Sequence, residues 1–258
     1  MGYVAVLVED RGPIRIVWLA LPEKRNVLDL VMREELRRIL EHTAGSEEVK
    51  ALVMAGQGGN FSAGGDLRSM EGLTPSKGRR RVQRVGGLIS TMRRMAQPII
   101  AAVDGAAVGA GLGLALACDL VVASERARFG VGQIKVGLIP DMGLTRYLPL
   151  RIGWTRAVEM MMRGILVDAT TALQWGLVNR VVSPEVLMQE ALSMASELAQ
   201  GPSVAISMVK EAMDRFPSCL EDSLGWEANS QALAFMTEDF DEGRKAFLQK
   251  RGPRFKGS

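Results

Sequence analysis

Two glycine-rich stretches hold the residues whose types and spacing suit chemistry. In VGAGLGLALACD (Val108 to Asp119), Gly109, Gly111 and Gly113 alternate ahead of an apolar run, and the loop GQGGNFSAGGDL follows another apolar stretch. Glycine-rich turns that open helices present unpaired N–H groups and positive potential, which suits an anion. The first question is whether such a turn is built to hold a phosphate, as a cradle of the dinucleotide type does, or something else. The dinucleotide fingerprint wants an acidic residue about 20 positions on, at the end of the next strand. Asp119 comes only ten residues after Gly109, and the next acids are Glu125 and Asp141, so the spacing disfavours it.

Other chemistries are narrowed by composition. His42 is the only histidine, which removes histidine-based triads and histidine metal sites. The two cysteines, Cys118 and Cys219, form neither a disulfide framework nor a zinc pattern, so a reducing cytoplasm is expected. The net charge of +3 is concentrated in KGRRRVQR (Lys77 to Arg84) and Arg93-Arg94. That cluster reads as a solvated helix face or as an electrostatic funnel for a polyanionic small molecule. Aromatics are 5% of the chain and absent from the cluster, which argues against nucleic acid. No apolar run reaches the roughly 20 residues of a membrane helix, and the N-terminus lacks the pattern of a signal peptide. The Met-Gly start has Val6 where a myristoylation signal needs Ser or Thr.

The elements that must position the two loops follow from periodicity. YVAVLVEDRGPIRIVWLA predicts a hairpin, and LDLVMREELRRILEHTA a helix with apolar Leu28, Val31, Met32, Leu36, Ile39 and Leu40. VKALVMAG, PIIAAVDG and DLVVAS read as buried strands, with a basic helix over about 76–96 between the first two. This alternation predicts an α/β fold, a parallel sheet covered by helices. Beyond Asp141 the pattern turns helical, through TRAVEMMMRG, DATTALQWG, PEVLMQEALSMASELAQ, SVAISMVKEAMDRF and LEDSLGWEANSQALAFM. The expected organisation is a core over residues 1–195 and a C-terminal helical region over 196–258.

FSAGGDL, PIIAAVDGAAVGAGLGLALACDLVVAS and FGVGQIKVGLIPDMGLT resemble the crotonase, or enoyl-CoA hydratase/isomerase, superfamily. PEKRNVLD and FDEGRKAFLQKRGPRFKG resemble its terminal signatures, so the resemblance covers almost the whole chain. It implies a crotonase-like ββα spiral core with a C-terminal oligomerisation region, and an acyl-CoA thioester as substrate. It also implies a homotrimer or dimer of trimers. Coenzyme A is then part of the substrate, and the implied chemistry needs no metal and no separate cofactor. The matching positions make Ala63 and Ala110 the N–H donors to the thioester oxygen. Lys24, Arg25, Ala63, Phe247 and Lys250 become the coenzyme A contacts, the last two often serving a neighbouring subunit. Asn26 is expected to order its loop.

The same resemblance exposes a departure. Family hydratases carry two glutamates that handle water, and Gly113 and Gln133 stand at those positions. Glycine carries no proton, and a neutral amide is no general base. Asp141, eight residues after Gln133, stands where family isomerases place their acid/base. Its GLIPD setting and the C-terminal tail most resemble the phenylacetate-pathway 1,2-epoxyphenylacetyl-CoA isomerase. The expectation is therefore a double-bond or ring isomerisation through a thioester enolate, with Asp141 moving the proton. A hydratase using Asp141 and water, and a non-catalytic acyl-CoA binder, are the alternatives. A helix N-cap is the structural reading of Asp141. Asp66 is expected to cap the next helix, Asp104 to organise its turn, and Asp119 to be structural.

Overall fold

The computed structural model describes residues 3–258; Met1 and Gly2, where the Met-Gly start falls, lie outside the described residues. Strands β1 (Val6–Arg11) and β2 (Ile14–Leu19) make the expected antiparallel hairpin. Helix α1 (Leu30–Ala44) is capped by Asp29, whose side chain accepts the Met32 N–H at 2.9 Å. Then come β3 (Ala51–Gly56), α2 (Pro75–Arg94) and β4 (Ile99–Val103), followed by β5 (Ala106–Val108), α3 (Ala110–Ala117), β6 (Leu120–Ser124) and β7 (Arg128–Gly130). The rest runs α4 (Leu144–Ile152), α5 (Trp154–Arg163), β8 (Leu166–Asp168), α6 (Ala169–Trp175), β9 (Arg180–Val182) and α7 (Leu187–Ala199). Helices α8 (Ser203–Arg215), α9 (Leu220–Ala234) and α10 (Glu238–Leu248) end the chain.

The main sheet has the order β1-β2-β3-β4-β6-β9 and is parallel from β2 onward. Its central strands are apolar on both faces, as a doubly covered sheet requires. Leu52, Met54, Ile99, Ala101 and Val103 face the cluster built with α1, α2 and α3. The alternate residues Ala51, Val53, Ala55, Ile100 and Ala102 face Leu187, Ala191 and Ala195 of α7. A second sheet, β5-β7-β8, stands apart. Each of its strands has three residues, too few for alternation to announce them.

The boundary expected at residue 195 falls inside α7. That helix runs unbroken to Ala199 and buries Ala195 against the sheet, so the core continues through it. Helix α8 is also tied in: Lys210 is buried, with its Nζ 2.9 Å from Asp119 and donating to the Gln97 carbonyl at 2.8 Å. Asp119 additionally binds Arg93 at 2.8 Å and accepts the Ile99 N–H, which is a structural role. Beyond α8 the helices shelter little. No residue of α9 is buried, and Leu220, Leu224, Leu233, Phe235 and Met236 are exposed.

Candidate active site

The two glycine loops meet at the junction of the sheets. A parallel bridge pairs Ser62 with Ala107: Ser62 N–H donates to Ala106 O at 2.8 Å, and Val108 N–H to Ser62 O at 3.1 Å. Asn26 fixes the loop from behind, as expected. It is fully buried, accepts the Leu21 N–H, and donates to the carbonyls of Gln57 and Asn60. The loops approach closely at Gly64, where a Cβ would stand 2.6 Å from Val108 O and 3.5 Å from Ala110 N, and at Gly111, where a Cβ would overlap Ser62 O. Gly109, at φ 56 and ψ −120, takes a conformation that a side chain would strain, and it turns the chain into α3.

Among the described residues, this geometry leaves the N–H of one expected donor free and engages that of the other. Ala110 is the first residue of α3, and its N–H has no acceptor among the described residues. Ala63 is different: its N–H donates to Arg25 O at 2.9 Å. A proton already held by a carbonyl is not available to a thioester. The Gly64 N–H faces Ser62 Oγ at 3.2 Å, which leaves Gly65 as the next N–H without an acceptor among the described residues. Sequence spacing alone cannot separate these neighbours, because the difference is a long-range bond to Arg25.

Both donors open onto a cavity of about 540 Å³. Its walls are mostly apolar, with Leu73, Val82, Val85, Val136, Leu138 and Ile139 among them. Asp141 is the only carboxylate on the lining. Its side chain accepts the Gln133 amide Nε2–H at 3.0 Å. It is not the cap of α4: Gly143 occupies that position and no side chain caps the helix. Gln133 Oε1 is buried without a partner, so the amide turns its donor to Asp141 and keeps an acceptor in reserve.

Gly113 lies on the buried helix α3 and is absent from the cavity lining. A Cβ there would overlap Met142 Cβ and stand 2.8 Å from Met142 O. The space is filled by Met142, which is itself buried and held at φ 55. Asp66 does not cap α2, whose cap is Thr74; its side chain accepts the Arg68 N–H at 3.1 Å, ahead of the short turn over Arg68–Met70. Asp104 receives Ser124 and Arg126 and organises its turn.

Two lining residues were not singled out as site residues in the sequence: Arg33 from α1 and Arg81 from the basic helix α2. Burial brings the Arg33 guanidinium down to about 10, with the Arg81 charge acting the same way and Asp141 opposing. It remains a cation near neutral pH. The expected coenzyme A contacts are not on this lining. Lys24 and Arg25 are exposed beside the loop, and Phe247 and Lys250 are exposed at the end of α10. The structure thus gathers Ala63, Ala110, Gln133 and Asp141 and leaves those four residues outside.

The chain belongs to the enoyl-CoA hydratase/isomerase family, which it matches over residues 9–258. Its crotonase fold is shared with the crystal structure of enoyl-CoA hydratase subunit I from Geobacillus kaustophilus HTA426. That match has a TM-score of 0.95 at 36% identity and covers 99% of each chain. It is 37% identical to the "probable enoyl-CoA hydratase" of Rhizobium meliloti strain 1021, over 99% of each. It is 34% identical to the 1,2-epoxyphenylacetyl-CoA isomerase of Escherichia coli K12, over 92% of each. The protein is therefore an acyl-CoA enzyme of this family. Relatives at this distance carry both hydratase and isomerase names, with hydratase names in the majority.

Proposed function

We propose that the protein isomerises an acyl-CoA thioester, shifting a double bond or rearranging a ring, with Asp141 as the single acid/base. The observation that carries this reading is that Asp141 is the only carboxylate on the cavity lining; beside it stands the expectation from the resemblance that Gly113 and Gln133 fall at the two glutamate positions of family hydratases. In this mechanism the thioester oxygen sits between the N–H groups of Gly65 and Ala110, and the enolate charge that develops there is stabilised by those fixed donors. Asp141 takes a proton from the α- or γ-carbon and returns it to another atom of the same acyl group. The Gln133 donor holds one carboxylate oxygen, which orients the other for the transfer. The apolar walls keep bulk water from quenching the enolate.

The loop of Lys24, Arg25 and Ala63, and Phe247 and Lys250 of a neighbouring copy, are proposed to hold the coenzyme A. The exposed apolar residues of α9 and α10 suit burial in a homotrimer or dimer of trimers.

Asp141→Asn tests the proposal. Asparagine keeps the shape and can still accept from Gln133 Nε2, while its new amide can donate to the unpartnered Gln133 Oε1. Folding is therefore expected to hold, and turnover to fall about 10²–10⁴-fold. Deuterium wash-in at the α- and γ-carbons of a panel of enoyl-CoA thioesters reads the step directly. Exchange as fast as in the parent would remove Asp141 from the chemistry. A second reading, hydration with Asp141 placing the water, is favoured by the relatives' names. Crotonyl-CoA hydration by the parent protein separates the two.

A further inference from the structure

The least satisfied charged group in the cavity is Arg33. Its Nε is buried with no hydrogen-bond partner, and no side-chain bond of its guanidinium is formed among the described residues. The fold pairs its other sheltered guanidinium groups. Arg93 binds Asp119 at 2.8 Å, Arg15 binds Asp10 at 2.7 Å, and Arg151 donates to the carbonyls of Leu116 and Cys118. Arg81, on the same lining, donates to Ser69 Oγ at 2.8 Å and meets no carboxylate. Two guanidinium groups therefore share a mostly apolar chamber with one carboxylate, Asp141.

Leaving such a cation without an acceptor is costly, and the cost is removed when an anion enters with the ligand. The planar fork of arginine matches a carboxylate in two-point geometry. Arg33 also lies close to the donor loop: a Cβ built on Gly65 would stand 3.6 Å from Arg33 Nη2. The anion it receives is thus within a short chain's reach of the thioester oxygen. The surrounding Leu73, Val82, Val85, Leu138 and Ile139 suit the methylenes of an acyl chain better than the hydrated diphosphate of coenzyme A.

We infer that the acyl group of the substrate carries its own carboxylate, received by Arg33 with Arg81 beside it: the protein acts on the coenzyme A monothioester of a short dicarboxylic acid. The inference rests on the acyl-CoA reading of this cavity and deepens it, and it does not require Asp141 to be the base.

The test is calorimetric binding of glutaryl-CoA and adipyl-CoA, each against its ω-methyl ester, with acetyl-CoA as reference. For a charge-assisted pair, the better-fitting free acid is expected to bind about 10- to 100-fold more tightly than its ester. Arg33→Met is expected to abolish that preference while acetyl-CoA affinity stays within about twofold. The comparison of acid with ester uses the parent protein, so it stands even if a variant folds poorly. Equal binding of acid and ester by the parent overturns the inference. So does a preference that survives in Arg33→Met/Arg81→Met, or an equal loss of acetyl-CoA affinity, which would assign Arg33 to the coenzyme A phosphates. Deuterium exchange measured on the same thioesters separates the two claims. A carboxylate preference without exchange retires the isomerase reading alone, and exchange without the preference retires the carboxylate site alone.

Discussion

Gly113→Ala adds one methyl group at a position that the resemblance matches to a glutamate of family hydratases. The new Cβ would overlap Met142 Cβ and stand 2.8 Å from Met142 O, where ordinary contact begins at 3.4 Å, an intrusion of about 0.6 Å. Neither neighbour can swing away, because one is backbone and the other is the first side-chain atom of a fully packed residue. Overpacking of this kind costs about 1–3 kcal/mol. For a domain somewhat larger than 200 residues that lowers Tm by roughly 2–12 °C. Met142 adjoins Asp141, so the shift that relieves the clash also moves the proposed base, and turnover is expected to fall more than stability. Met142→Gly removes the Cβ overlap and leaves the contact to the carbonyl. In that background Gly113→Ala is expected to cost at least about 1 kcal/mol less, a coupling that a double-mutant cycle by thermal and urea unfolding resolves. Gly113→Glu with Gln133→Glu is then expected not to create a hydratase, because the first carboxylate has no room on this backbone. A Gly113→Ala protein with unchanged Tm and turnover, or a folded double-glutamate variant that hydrates crotonyl-CoA rapidly, would show that Met142 does not close the site.

Ala110→Pro deletes the proposed donor N–H at the first position of α3, where proline suits the helix, so the variant is expected to fold and to lose about 10²–10³ in rate. Parental activity in the folded variant would mean the thioester oxygen does not sit at Ala110. Of the two thiols, Cys118 is fully buried, and that burial pushes it up to about 12, whereas Cys219 is exposed. Titration of native protein with a thiol-specific disulfide reagent at pH 8 is therefore expected to modify Cys219 alone, with Cys118 reacting only in denaturant. Rapid modification of both in the native state would contradict the packing of α3 against the sheet.

The sequence by itself determined the alternation of strands and helices, the two glycine loops and the identity of the residues at Gly113, Gln133 and Asp141. These are local properties: periodicity follows from residue type, and a missing carboxylate is visible without coordinates. It did not show the short sheet β5-β7-β8, whose pairing depends on segments far apart in the chain. Nor did it distinguish Gly65 from Ala63 as a donor, since both lie in one loop and only the carbonyl of Arg25, brought there by the buried Asn26, takes one of the two protons. The same holds for Met142 against Gly113, and for Arg33 and Arg81, which come from two helices and share a chamber only after packing. Tertiary structure decided these points because hydrogen-bond engagement, excluded volume and the field of a charge are relations between groups in space. Residue type and spacing name the candidates for such relations without saying which of them meet.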